Sequence, residues 1–279
     1  MITRRTMLAG AAAFPVAAGF GARAADTPGV TATEIKVGNT MPYSGPTSAY
    51  SSIGKADAAF FQWLNEQGGV AGRRINFISL DDGYSPPRTV EQTRRLVEQD
   101  QVAFMFDALG TPTNSAVQRY LNQKKVPQLF VNSGADKFAD PKHFPWTIGF
   151  LPSYRTEAQI YTKHMLRENP NARLAILYQN DDFGKDYAVG VRDTLGKDWD
   201  KHVVKALTYE VTDATIDSQI ADLQASGADA LVAATSPKFA AQAIRRVHDI
   251  GWRPMFFMTN VSISVGSVLG LPGRRRRLA

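Results

Sequence analysis

The 279-residue chain contains no cysteine, which excludes disulfides, thiolate nucleophiles and cysteine-ligated metals and leaves packing as the source of stability. A Gly-x-Gly-x-x-Gly after the first strand, the phosphate-cradling Gly-x-x-x-x-Gly-Lys and the Gly-x-Ser-x-Gly elbow are all missing, so dinucleotide, ATP and serine-hydrolase chemistry have no motif to stand on. The four histidines, His143, His164, His202 and His248, share no metal-ligand spacing, and neither metal nor cofactor is expected. Asp81-Asp82 and Asp181-Asp182 follow strand-like runs at turns, where capping of helix starts is favoured over acid/base work. With no nucleophile–base pair in view, the chain is not expected to be an enzyme.

An excess of charge in the body is also lacking. The formal net charge is +6, yet Arg4, Arg5 and Arg23 lie near the start and Arg274, Arg275, Arg276 and Arg277 near the end. Without those seven, the 32 basic residues fall to 25 against 26 acidic ones, which argues against a nucleic-acid partner. The longest apolar run, Met7 to Phe20, is shorter than the roughly 20 residues of a membrane span and is broken by Gly10, Pro15 and Gly19. Set between Arg4-Arg5 and Ala22-Arg23-Ala24, it reads as a signal peptide over 1–24, cleaved between Ala24 and Ala25. Thr3-Arg4-Arg5-Thr6-Met7-Leu8 resembles the twin-arginine export motif.

Beyond the signal, strand and helix patterns alternate. Strands are expected at 34–38, 75–80, 102–106 and 128–131, and helices at 52–67, 86–99 and 114–123, with Ile53, Ala56, Phe60, Trp63 and Leu64 on one face of the first helix. A first lobe is expected over 25–145, a hinge crossing at the proline-bounded 146–152 and a second lobe over 153–260. The second lobe repeats the alternation: helices at 154–167, 183–195, 216–226 and 239–250, strands at 174–178, 203–209, 230–233 and 255–258. This order predicts an α/β protein with parallel sheets covered by helices. In such sheets ligands bind in the loops at the carboxyl ends of the strands. Two of those loops, Gly110-Thr111-Pro112-Thr113-Asn114 and Ser133-Gly134-Ala135-Asp136, offer hydroxyls and the unpaired N–H groups of a helix start, which suit a carboxylate or turn chemistry alike.

Met41-Pro42-Tyr43-Ser44-Gly45-Pro46, Asn65-Glu66-Gln67-Gly68-Gly69-Val70-Ala71-Gly72, Asp81-Asp82, Val126-Pro127 and Asn180-Asp181-Asp182-Phe183-Gly184 together resemble the periplasmic branched-chain amino-acid-binding proteins, the substrate-binding proteins of ABC importers. The resemblance covers about residues 32 to 266. It implies two Rossmann-like lobes of the type I periplasmic binding fold, closing on a small solute such as a branched-chain amino acid or an aromatic or aliphatic carboxylate. It further implies a monomer in the periplasm that delivers this solute to an inner-membrane ABC permease. A ligand-sensing receptor subunit would share the fold. By the same resemblance Gly110, Thr111, Ser133, Gly134 and Ala135 hold the ligand carboxylate, Tyr50 lines the side-chain pocket, Phe183 covers the ligand, Thr235 or Ser236 donates a further contact, and Tyr154 is a neighbour. At Thr259-Asn260-Val261-Ser262 the family tends to place an acid for the ligand ammonium, and none is present; Asn260 could accept one hydrogen bond. A neutral or purely anionic ligand therefore fits at least as well as leucine.

The family normally continues past residue 269, whereas this chain reads Gly270-Leu271-Pro272-Gly273 and then four arginines. Residues 261–279 are accordingly expected to be a second crossing with an aberrant basic tail, the mark of a C-terminally truncated copy, with a non-functional fragment as the alternative to a working binding protein.

Overall fold

The computed structural model describes residues 27–270. The expected signal peptide, its cleavage point and the Arg274–Arg277 tail lie outside the described residues.

The first lobe is built on a five-stranded parallel sheet: β1 (Glu34–Met41), β2 (Arg74–Asp81), β3 (Phe104–Phe106), β4 (Gln128–Val131) and β5 (Thr147–Gly149), in the order β2-β1-β3-β4-β5. Its helices are α1 (Ser51–Glu66), α2 (Pro86–Arg94) and α3 (Thr111–Lys124). Two expected elements are trimmed: the strand begun at Val102 starts at Phe104, after Gln101 adopts φ +54°, and the helix expected to run to Gln99 passes into a π turn at Arg95–Gln99. The segment expected to form the crossing supplies a strand first. Thr147–Gly149 pairs with β4, and Gln128 N–H donates to the Trp146 carbonyl at 2.7 Å.

The inner face of α1 differs from the expected one. Ile53, Gly54, Phe61 and Leu64 turn inward, while Ala56, Phe60 and Trp63 stay exposed. Phe61 lies 5.1 Å from Phe77 and 5.5 Å from Phe106, ring centre to ring centre, and seating that one ring on the sheet rotates Phe60 and Trp63 outward, where they pack on each other.

The second lobe holds a four-stranded parallel sheet of β6 (Leu174–Gln179), β7 (Val203–Tyr209), β8 (Ala230–Ala234) and β9 (Met255–Met258), in the order β7-β6-β8-β9. Around it lie α4 (Tyr154–Glu168), α5 (Asp182–Leu195), α6 (Trp199–His202), α7 (Asp217–Ala225), α8 (Pro237–Asp249) and α9 (Val265–Val268). Alternation along β6 divides the core in two. Leu174 and Ile176 pack with Ala158 and Met165 of α4 and Tyr187 and Val191 of α5, whereas Ala175 and Leu177 pack with Ile220 and Leu223 of α7 and Phe239 and Ala243 of α8. Among the described residues no helix is long and apolar enough to cross a membrane.

Candidate functional site

The carboxyl ends of both sheets face one another across a narrow cleft that holds about 30 Å³ of free space and opens to solvent. The first lobe contributes Tyr50, Tyr84, Leu109, Gly110, Thr111 and Asn132; the second contributes Tyr154, Gln179, Phe183, Ser236 and Val261. None of these side chains carries a formal charge, and four are aromatic rings. Burial raises the phenols of Tyr50 and Tyr84 well above their ordinary range and pushes Tyr154 up to about 12, so all three stay neutral donors at physiological pH.

Helices α3, α4, α5 and α8 start at this cleft, and α1 begins just after Tyr50. At α3 the cap is Gly110, held at φ +105°, where a side chain would collide with Thr113 Oγ1 (2.5 Å) and the Tyr84 ring (2.6 Å), so backbone alone meets the ligand space. Beside it Thr111 Oγ1 and Ser133 Oγ share a hydrogen bond of 2.7 Å. At α5 the cap is satisfied internally: Asp181 Oδ1 accepts from the N–H groups of Phe183 (3.0 Å) and Gly184 (3.3 Å). Asp181 thus performs the capping expected of it. At α8 the cap is Ser236, whose side chain makes no capping bond.

Of the residues singled out from the sequence, Tyr50, Gly110, Thr111, Tyr154, Phe183 and Ser236 line the cleft. Ser133 stands behind Thr111, and its Oγ also accepts from Ala135 N–H at 3.2 Å. Gly134 and Ala135 do not line it. A Cβ on Gly134 would lie 2.1 Å from the Pro152 carbonyl, and Gly134 O accepts from Tyr154 N–H at 2.9 Å, so this glycine lets the crossing pass. Ala135 is buried in the core. Thr235 sits one residue behind the lining, fully buried.

Asn260 is turned away from the cleft: its backbone N–H and Nδ2 donate to the Glu157 carboxylate at 2.8 and 2.7 Å. Glu157 of α4, not singled out from the sequence, also accepts from the Tyr161 and Tyr187 hydroxyls. Tyr187 stacks on the cleft residue Tyr154 with ring centres 5.3 Å apart. The acid missing from 259–262 is therefore supplied by a helix, yet its oxygens are already occupied and it backs the wall of the cleft without lining it.

The sequence reading also passed over Tyr84, Leu109, Asn132, Gln179 and Val261. Tyr84, at φ +61° just after the Asp81-Asp82 turn, was the one with a local signal, since Asp82 Oδ1 accepts its N–H at 2.9 Å. The others gain their roles from the meeting of the lobes. Tyr50 OH donates to the Val261 carbonyl at 3.1 Å and Gln179 Nε2 to Tyr84 OH at 3.4 Å. At the rim Lys137 Nζ meets Asp182 at 3.0 Å, and Asp136 N–H donates to Asp186 at 3.2 Å. These contacts join the two lobes across the cleft.

The sequence of residues 34–274 matches the family described as periplasmic binding protein. The Leu/Ile/Val-binding protein homolog 7 of Brucella abortus is 22% identical over 232 residues, covering 79% of this chain and 57% of the relative. Thus the chain spans about 57% of the length of the curated relatives it matches. A branched chain amino acid ABC transporter from Thermus thermophilus, solved with bound valine, superposes with a TM-score of 0.77 at 16% identity, over 86% of this chain and 62% of that one. The fatty acid ABC transporter substrate-binding protein of Thermomonospora curvata superposes at 0.71 with 21% identity, over 88% and 62%. At such identities the superpositions establish the type I periplasmic binding fold and nothing finer, but the family match spans most of the sequence: the chain belongs to the periplasmic binding proteins.

Proposed function

We propose that the chain captures a small solute bearing a carboxylate and no ammonium group, closes its lobes over it, and presents it to an ABC permease outside the cytoplasm. The observation that carries this is the cleft lining, which combines aromatic rings, uncharged donors and a side-chain-free helix start at Gly110, with no carboxylate. The unpaired N–H groups and positive dipole end of α3 stabilise an anion without a cationic side chain. A buried ammonium would have no counter-charge, since Glu157 and Asp181 are already spent on their own donors. Closure follows from differential affinity: rings from both lobes desolvate the ligand, and contacts such as Tyr50 to Val261 form only when the lobes meet, so ligand shifts the population toward the closed state. The two superposed structures named for valine and for fatty acid show that proteins of this fold serve ligands with and without an ammonium.

The test is thermal unfolding against benzoate, pentanoate, leucine and valine. A ligand at about 100 times its dissociation constant adds roughly 2.7 kcal/mol. The expected result is a rise in Tm with the plain acids and none with the amino acids; a shift with leucine alone would overturn the reading.

A further inference from the structure

The second-lobe wall contains hydroxyls without a hydrogen-bond partner, one of them that of Ser236, beside the Tyr209 phenol that accepts the Ser236 backbone N–H at 2.9 Å. Ser236 is 3% exposed and Thr235 is 0% exposed, and the hydroxyl oxygens of both are buried without a hydrogen-bond partner. Buried hydroxyls are almost always paired, so an orphan at the edge of a ligand space marks a place where a ligand atom completes the set. Ser236 lines the cleft and caps α8, a helix of 13 residues whose first turn holds no acidic side chain and whose cap makes no side-chain bond. The neighbouring α5 shows the contrast, because Asp181 has already consumed its first N–H groups and Asp182 adds a negative charge to its first turn. Among the helix starts at the cleft, α3 in one lobe and α8 in the other carry neither a side-chain capping bond nor a first-turn acid, whereas α4 is capped by Ser153 and α5 by Asp181.

From these residues we infer that the ligand carries a second oxygen function, such as a hydroxyl or keto group, at the end remote from its carboxylate, and that this oxygen docks on Ser236 at the start of α8. This rests on the reading of α3 as the carboxylate receptor and extends it. With no lysine or arginine in the lining, a second full negative charge would be costly to bury, so the far group is a neutral acceptor. Also in the lining, Tyr154 and Phe183, 5.0 Å apart and edge to face, supply an apolar wall for the ligand's body. Thr235 sits behind Ser236 and leaves a second unspent hydroxyl on the same side.

The experiment uses the full chain and two matched pairs of acids: benzoate with 4-hydroxybenzoate, and pentanoate with 5-hydroxypentanoate. Dissociation constants are measured by calorimetry. In at least one pair the oxygenated member is expected to bind about tenfold tighter or better, the worth of one neutral hydrogen bond to an otherwise unsatisfied group. In Ser236→Ala that ratio is expected to fall to within about twofold of unity, whereas in Thr111→Ala, on the opposite wall, the ratio persists. Equal affinities within both pairs in the unaltered protein, or a preference that survives Ser236→Ala, would overturn the inference while leaving the carboxylate reading intact. If none of the four acids binds, that reading falls and this one with it.

Discussion

The two lobes share one plan and differ in how well each encloses its sheet. In the second lobe both faces of the sheet are covered, by α4 and α5 on one side and α7 and α8 on the other, and every residue of β8 is buried. In the first lobe α2 and α3 cover one face, with Met105, Leu96, Val117 and Leu121 packed between, whereas the opposite face carries an aromatic row running from Phe61 through Phe106 and Phe130 to Phe150. Along this row exposure rises to 42% at Phe130 and 63% at Phe150. A parallel sheet normally buries both faces; α1 covers the Phe61–Phe106 end of the row, and Phe130 and Phe150 beyond it are apolar surface without cover among the described residues. Comparing the lobes separates residues that stabilise the fold from residues that are merely apolar.

The largest expected effect tests that separation directly. Ile176→Ala, in the enclosed sheet, is expected to cost about 2–5 kcal/mol in urea unfolding, while Phe150→Ser on the open face is expected to stay within about 0.5 kcal/mol. Equal costs would mean that the aromatic row is enclosed in solution. Next comes the joint between the lobes. Gly134→Ala pushes a methyl against the Pro152 carbonyl and the Tyr154 ring, and is expected to destabilise by about 1–3 kcal/mol, read by the same unfolding measurement.

A pH effect is expected in the first lobe, at Asp107. Burial, followed by the nearby Asp57 carboxylate, raises Asp107 to about 7, and burial raises Asp57 too. The folded state therefore holds a proton that the unfolded chain releases near the ordinary aspartate range. The stability this contributes is complete below about pH 4 and is lost as pH rises through 7. Asp107→Asn, which keeps an oxygen for the 3.1 Å bond from Asn132 Nδ2, is expected to flatten the decline between about pH 4 and 7 in thermal unfolding. An unchanged slope would assign the decline to other groups. The smallest effect lies at the rim: Lys137→Ala removes an exposed ion pair across the lobes, is expected to weaken ligand binding by about 0.2–1 kcal/mol at low salt, and should lose that effect in 1 M salt.

Much of the layout was legible in the residues because its signals are local. Strands such as Val203–Tyr209 and Met255–Met258 and helices such as Tyr154–Glu168 announce themselves by periodicity and by flanking glycine, proline and capping residues. The strand Thr147–Gly149 was not legible, since three residues make a strand only by lying against Gln128–Val131. Nor could the sequence show that Phe61, and not Phe60, seats on the sheet, because both lie within one turn of the same apolar stripe. At the site, the Gly110-Thr111 loop was found because it opens a helix after a strand, a position that chain order reveals, and Phe183 was found through the family resemblance. Gln179, Asn132 and Val261 were missed because nothing near them in the chain distinguishes them; the opposing lobe does.

Composition and order alone determined an α/β chain of two lobes, without thiol chemistry or a nucleotide-binding motif, and with its candidate loops at the ends of strands. Tertiary structure decided which loop residues face solvent, core or cleft, that Asn260 binds Glu157 instead of lining the pocket, and that the hydroxyl of Ser236 is left unspent. The physical reason is range: periodicity and capping act over a few residues of chain, whereas burial, counter-charge and hydrogen-bond satisfaction depend on groups that are distant in sequence and adjacent only once the lobes have packed.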